Sequence, residues 1–169
     1  MNNIVLIGFM GVGKGSVARE LFKQSDYFAV DTDDLIESLE NKKIKDIFES
    51  EGEEYFRALE SKTALWIEKS INNTVISTGG GFYKVKNICK IGTIVYLKSS
   101  FDAILKRIQE HPNAKKKIAK RPLLKDLKKA KEIYKQRVAE YKSIANLTVN
   151  VENKSIKKIA KEILSQIKL

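Results

Sequence analysis

The stretch Ile4-Val5-Leu6-Ile7-Gly8-Phe9-Met10-Gly11-Val12-Gly13-Lys14-Gly15-Ser16 decides how this chain is read. Ile4 to Ile7 is a continuous β-branched and apolar run, which suits a strand buried on both faces. A glycine-rich turn follows. A helical pattern then opens at Gly15 and runs to about Ser25, with Val17, Ala18, Leu21 and Phe22 on one face. Strand, glycine loop with lysine, then helix is the context a phosphate-binding loop requires. Its glycines let backbone N–H groups turn inward on phosphate oxygens. The helix N-terminus adds about half a positive charge. Lys14 is placed to bridge the β- and γ-phosphates of a nucleotide. Gly11, Val12, Gly13, Lys14, Gly15 and Ser16 are therefore the candidate nucleotide-binding residues.

The loop departs from its usual pattern at one place. Ser or Thr normally follows the lysine directly and serves Mg²⁺. Here Gly15 stands there, and the hydroxyl arrives at Ser16, about 100° further round the helix. Mg²⁺ is then expected to be held mainly through water and nucleotide oxygens, which suits a cation that dehydrates reluctantly. Ser16 remains a candidate metal ligand.

Composition narrows the class. The chain has 169 residues, 43% of them hydrophobic, which points to one domain spanning 1–169 and to a real core. No stretch reaches the roughly 20 apolar residues of a membrane span. Met1-Asn2-Asn3 carries no positive side chain and no small-residue cleavage site follows, so a secretory signal is not expected. Cys89 is the single cysteine, which excludes an internal disulfide and a cysteine metal cluster. Together these features favour a cytoplasmic protein.

Charge is uneven. Residues 1–80 hold 9 basic and 14 acidic residues, a net of −5, and residues 81–169 hold 23 and 7, a net of +16. Such a basic half favours an anionic partner: nucleic acid, a membrane surface or a phosphorylated ligand. Solvated lysine-rich helix faces explain it equally well. Arginine is used sparingly, at Arg19, Arg57, Arg107, Arg121 and Arg137. That economy is consistent with forked contacts to carboxylate or phosphate.

Outward from the loop, strands alternate with helices. Phe28-Ala29-Val30 reads as a strand ending at Asp31, and Asp33 or Asp34 can cap a helix through Leu35, Ile36 and Leu39. Ile44, Ile47 and Phe48 suit a short helix stopped near Gly52. A longer helix over 53–70 follows, with Phe56, Leu59, Thr63, Trp66 and Ile67 on its stripe and Trp66 read as core. Residues 74–77 and 93–97 are strand-like, and 101–109 is helical. Residues 111–120 read as a basic, mobile loop, and 124–144 as helix. Residues 147–151 form a strand, and a last helix starts after a Ser155 cap. Alternation of this kind predicts a parallel sheet with helices on both faces, an α/β layered fold. Ligands in such folds sit at the carboxyl ends of the strands.

Further chemistry-bearing residues fall at those ends. In an extended segment Asp31 and Asp33 face one side. Asp31 can hold the waters of Mg²⁺, and Asp33 can accept a substrate hydroxyl and its proton. A helix cap is an equal reading of the same residues. Gly79-Gly80-Gly81 follows a strand, where its N–H groups can face an anion. Arg57, Arg121 and Arg137, if they converge, would bind a carboxylate and neutralise a transferring phosphoryl group.

The motifs, taken in order, resemble the shikimate kinase family over nearly the whole chain. They are the Gly-Phe-Met-Gly-x-Gly-Lys loop, Asp31-Thr32-Asp33, Phe56-Arg57, Gly79-Gly80-Gly81, Arg121-Pro122-Leu123-Leu124 and Arg137-x-x-x-Tyr141. The resemblance implies ATP-dependent phosphorylation of the 3-hydroxyl of shikimate, in aromatic amino acid biosynthesis, with Mg²⁺. It implies a three-layer P-loop fold of the nucleoside-monophosphate-kinase type, with a five-stranded parallel sheet in the order 2-3-1-4-5. A substrate-binding helical region would span about 33–61 and a lid about 111–124. By position, Asp33, Arg57, Gly80, Gly81 and Arg137 would bind shikimate, beside Gly79. Asp33 would be the base. Lys14 and Arg121 would stabilise the phosphates, Arg121 being delivered by the lid. Arg107 would stack on adenine, and Asp31 would serve Mg²⁺ through water. The chain departs from the family at Gly15, in the length of the lysine-rich 107–121 segment, and at Ala139, where a proline is frequent. Adenylate-kinase-type loops also read Lys-Gly-Ser/Thr, so Gly15 is compatible with nucleotide binding.

The rival readings are a kinase for another small acceptor, gluconate or a nucleoside monophosphate, and a nucleic-acid-binding protein. The basic stretch 115–131 contains no aromatic residue, which weakens base stacking. The preferred reading therefore has a small-molecule substrate and no nucleic-acid or membrane partner, with the chain acting as a monomer.

Overall fold

The structure, a computed structural model, describes residues 2–119 and 122–167. Five parallel strands form one sheet in the order β2-β3-β1-β4-β5: β1 Ile4–Ile7, β2 Phe28–Asp31, β3 Thr74–Ser77, β4 Thr93–Lys98 and β5 Leu147–Asn150. This is the order that the resemblance implied. Every residue of β1 and β3 is buried, so helices cover both faces of the centre. The helices are α1 Lys14–Gln24, α2 Thr32–Glu40, α3 Ile44–Ser70, α4 Ile88–Ile91, α5 Phe101–Gln109, α6 Ala114–Ala119, α7 Leu127–Ile144 and α8 Ile156–Gln166.

Register follows from the apolar runs and from one buried polar residue. Leu6 lies opposite Ser77 on β3 and Val95 on β4. Asn3, 1% exposed, locks the entry to the sheet. Its amide donates to the carbonyls of Ile71 and Ile91, both at 2.9 Å, and its Oδ1 accepts from the Thr74 N–H at 3.1 Å. A buried amide with its groups satisfied specifies one pairing and no slipped alternative.

α3 is two helices merged across a break at Gly52, whose φ of 84° and ψ of 176° lie outside the helical region. The break falls where the sequence predicts a stop. Beyond it the buried stripe is Phe56, Glu60, Thr63, Ala64 and Ile67. Trp66 is one residue off that stripe and 44% exposed, which corrects its reading as core. Phe22 and Leu39 are also exposed, at 48% and 76%. Phe22 covers itself only edge-on against Phe28, at 5.7 Å between ring centroids.

Two local expectations are also corrected. α2 is capped by Asp31, and not by Asp33 or Asp34; the Asp31 side chain accepts from both of their N–H groups. Residues 111–120, read as a loop, contain helix α6. Ser155 caps α8 as expected, accepting from the Lys158 N–H. Among the described residues no helix is long and apolar enough to cross a membrane.

The placement of Trp66 generates a test. Trp66→Ala should change stability by less than about 1 kcal/mol, whereas Ile67→Ala should cost about 2–4 kcal/mol. Urea denaturation of both variants checks this, and comparable losses would return Trp66 to the core.

Candidate active site

Parallel pairing of β1 with β3 sets two glycine-rich turns side by side at the carboxyl edge of the sheet. The first wraps the N-terminus of α1. Gly11 and Gly13 have φ of 83° and 106°, in the left-handed region that only glycine enters without strain. A Cβ at Gly11 would lie 2.5 Å from Ile108, and one at Gly13 2.5 Å from the Arg107 guanidinium. Lys14 folds back over its own loop, donating to the Gly8 carbonyl at 2.6 Å. The Val12 carbonyl accepts from Arg107 at 2.6 Å, and the Val12 N–H is turned onto the Phe9 carbonyl at 3.2 Å. Arg107 therefore braces the phosphate loop in this structure, while half its bulk is withdrawn from water and burial lowers its pKa. Ser16, Gly15 and Arg107 all line one open cleft of about 580 Å³, with Asp31, Asp33, Arg57 and Arg137.

The second turn is Gly79-Gly80-Gly81, and each glycine clears room for one charged group. A Cβ at Gly79 would stand 2.5 Å from Asp33 Oδ1, and one at Gly80 3.2 Å from the Arg137 guanidinium. A Cβ at Gly81 would collide with the Arg57 guanidinium. The three side chains come from three different elements, α2, α7 and α3, and meet only here. The Gly79 N–H donates to Thr32 Oγ1 at 3.0 Å, and Tyr141, buried beneath, donates to the Gly80 carbonyl at 2.9 Å. Burial pushes the Tyr141 phenol up to about 12, so it stays a donor.

Charge in this cleft is dense and poorly compensated. Asp33 is pushed up to about 7, first by burial and then by Asp31 and Glu60, against the pull of Lys14. Its Oδ1 is buried without a hydrogen-bond partner. Arg57 pairs with Glu60 at 2.6 Å and with Glu53 at 3.0 Å. Glu60 is 2% exposed, burial raises its pKa despite Arg57, and its Oε1 is also unsatisfied. Asp31 is held from two sides, its Oδ2 accepting from Ser77 Oγ at 2.6 Å. Asp31 and Asp33 were expected to share one face of a strand; in fact the chain turns helical at Thr32, and Asp33 occupies the first turn of α2.

The structure thus gathers Lys14, Gly15, Ser16, Asp31, Asp33, Arg57, Gly79, Gly80, Gly81, Arg107 and Arg137 around one cleft. Arg121 lies outside the described residues, although Leu123, close after it, lines the cleft. Sequence reading missed Glu60, Thr32 and Ser77. Glu60 carried a signal: it is a carboxylate on the buried stripe of α3, three residues after Arg57. No group of three or more His, Cys, Asp or Glu suited to a metal occurs among the described residues. What the cleft offers a cation is hard oxygen, from Asp31, Ser16 and Ser77. That donor set fits Mg²⁺ arriving with phosphates, as opposed to a dedicated all-protein cage.

Comparison with known proteins places this geometry. Residues 10–168 match the family model described as shikimate kinase. The chain is 39% identical to a shikimate kinase of Helicobacter hepaticus, over 97% of this chain and 95% of that protein. It is 40% identical to one from Sulfurihydrogenibium, over 99% of both. Among solved structures, a shikimate kinase from Acinetobacter baumannii in complex with shikimate superposes with a TM-score of 0.85 at 28% identity, over 99% of this chain and 96% of that one.

Asp33 makes stability depend on pH. The folded chain keeps a proton on Asp33 up to about pH 7, whereas the unfolded chain releases it near the ordinary value of 3.8. Stability attributable to Asp33 therefore falls as pH rises from about 4 through about 7, because the folded state binds the extra proton over that window. Asp33→Asn removes the penalty. The variant should be more stable than its parent by up to about 4 kcal/mol above pH 7, and equal to it below about pH 4. Urea denaturation at several pH values checks the slope, and a pH-independent difference would overturn it.

Proposed function

The chain belongs to the shikimate kinase family, and from that premise we propose that its cleft transfers the γ-phosphate of ATP to the 3-hydroxyl of shikimate. The chain is an ATP-dependent phosphotransferase with an alcohol acceptor. The observation that carries the acceptor assignment is the triple-glycine clearance. A buried carboxylate and two guanidinium groups converge on the Gly79–Gly81 backbone, next to a phosphate loop. Two forked cations suit a substrate carboxylate, and a carboxylate with raised affinity for protons suits a hydroxyl.

In this reading Arg57 and Arg137 hold the shikimate carboxylate, with Glu60 fixing the Arg57 fork. Asp33 accepts the hydroxyl hydrogen and takes its proton as the oxygen attacks. A pKa near 7 suits a group that must both receive and later release that proton at neutral pH. Lys14 leaves the Gly8 carbonyl for phosphate oxygens, and the loop N–H groups of residues 11–16 line the same charge. Arg121 joins them from the segment 111–124, which closes over the cleft and excludes water, a competing acceptor. Asp31, with Ser16, would hold Mg²⁺ through water; the ion supplies charge neutralisation at the phosphates when bound. Arg107 donates to the loop carbonyl of Val12 and stands against Gly13, which supports its assignment to the nucleotide. Both substrates are small molecules and every assigned residue lies in this chain, so a monomer acting in the cytoplasm suffices.

The test is release of ADP from ATP and Mg²⁺ with shikimate, gluconate or AMP as acceptor. Only shikimate should support turnover; turnover with another acceptor would discard the roles of Asp33, Arg57 and Arg137. Arg57→Ala should cost about 2–4 kcal/mol of shikimate binding, read as a raised KM, because a desolvated carboxylate is left unpaired. An unchanged KM would remove Arg57 from the substrate site.

A further inference from the structure

Gly15 is unusual for what does not require it. It lies in the first turn of α1, and its φ is not in the left-handed region. A Cβ built there meets only Arg19 Nη1 at 3.5 Å and Ser77 Oγ at 3.9 Å, both ordinary contact distances. Neither backbone nor packing demands glycine, which is a poor helix former. The substitution has one spatial effect: it leaves a gap between the phosphate loop and the Ser77–Asp31 pair.

Arg19 stands at the rim of that gap. It follows Gly15 by four residues on the same helix face, and helical side chains lean toward the N-terminus, which here means toward the phosphate loop. It is exposed, lines the cleft and makes no ion pair among the described residues. Its guanidinium thus places a forked cation beside Gly15, next to the glycine-rich loop that lines the cleft.

We propose that Arg19, acting through the gap left by Gly15, contacts the terminal phosphates of the nucleotide and carries part of the charge neutralisation otherwise left to a hydroxyl-anchored metal ion. The proposal rests on the ATP-binding reading of the loop. Its consequence is nucleotide affinity that depends less on Mg²⁺ than in a loop with Ser at position 15. Arg19 reaches phosphate as a fixed, bidentate group, so lysine replaces it only in part.

Calorimetric titration of ATP into the full chain, in Mg²⁺ and in EDTA, separates the possibilities. Arg19→Gln should weaken ATP binding in EDTA about tenfold, and Arg19→Lys should recover part of the loss. Gly15→Ser should make ATP binding more dependent on Mg²⁺ and should shrink the effect of Arg19→Gln when the two are combined. Lys23→Gln, an exposed cation on the same helix, controls for net charge and should leave affinity unchanged. Equal affinity of parent and Arg19→Gln in EDTA, within about twofold, overturns the proposal, as does an equal loss in Lys23→Gln. A parent that binds ATP under neither condition overturns the phosphate-loop reading itself, a distinct result.

Discussion

Everything in this chain hangs on the parallel pairing of β1 with β3. Strands 70 residues apart in sequence lie in register, Leu6 against Ser77, and the turns that leave them therefore emerge together. One turn wraps the N-terminus of α1, and the other leaves room for Asp33, Arg57 and Arg137. Asn3 enforces the pairing from the opposite end, where its amide ties together the approaches to three strands. A slip of one residue would break the hydrogen bonds of Asn3 and would also offset the two turns. The sheet thus fixes the distance between the two turns before any side chain is considered.

Charge explains the strain the fold tolerates there. Asp33 and Glu60 are both largely withdrawn from water and both have an unsatisfied oxygen, and the proton affinity of Asp33 is raised by its burial and then by repulsion from Asp31 and Glu60. Such groups destabilise a fold unless something else needs them. Arg57 is shared between Glu60 and Glu53, and Lys14, which donates to the Gly8 carbonyl, only partly counters the rise at Asp33. The cleft is therefore an arrangement suited to polar partners, with its charged groups already gathered.

Much of this was legible in the sequence, and the failures have physical causes. The apolar run at 4–7 marks β1, because a strand covered on both faces needs no polar positions, and the β-branched Thr74-Val75-Ile76 marks β3 although Thr74 and Ser77 are buried polar residues. The stop near Gly52 was visible because only glycine sits comfortably at that φ. Trp66 failed because a large apolar residue next to a helical stripe matches the periodicity almost as well as one on it, and only tertiary contacts decide. The cap of α2 failed for a similar reason: three acidic residues within four positions offer the same chemistry, and the choice of Asp31 depends on Ser77, from a distant strand. Glu60 was readable in principle, four residues after Phe56 on the apolar stripe and three after Arg57, but a carboxylate in such a pattern is ordinarily assigned to the solvent side.

The break at Gly52 has a consequence for cooperativity. Ile36, Ile47 and Phe56 pack with Ile44, Phe48 and Leu59 as a small apolar cluster separate from the main core. Arg57 follows Phe56 directly, so its guanidinium is carried by the minor cluster, while the glycine-rich loop, through Phe9 and Val12, is anchored in the major one. Small clusters open at lower free energy than the core of the sheet. Amide hydrogens of α2 and the first half of α3 are accordingly expected to exchange through a local opening that leaves β1 and β3 intact.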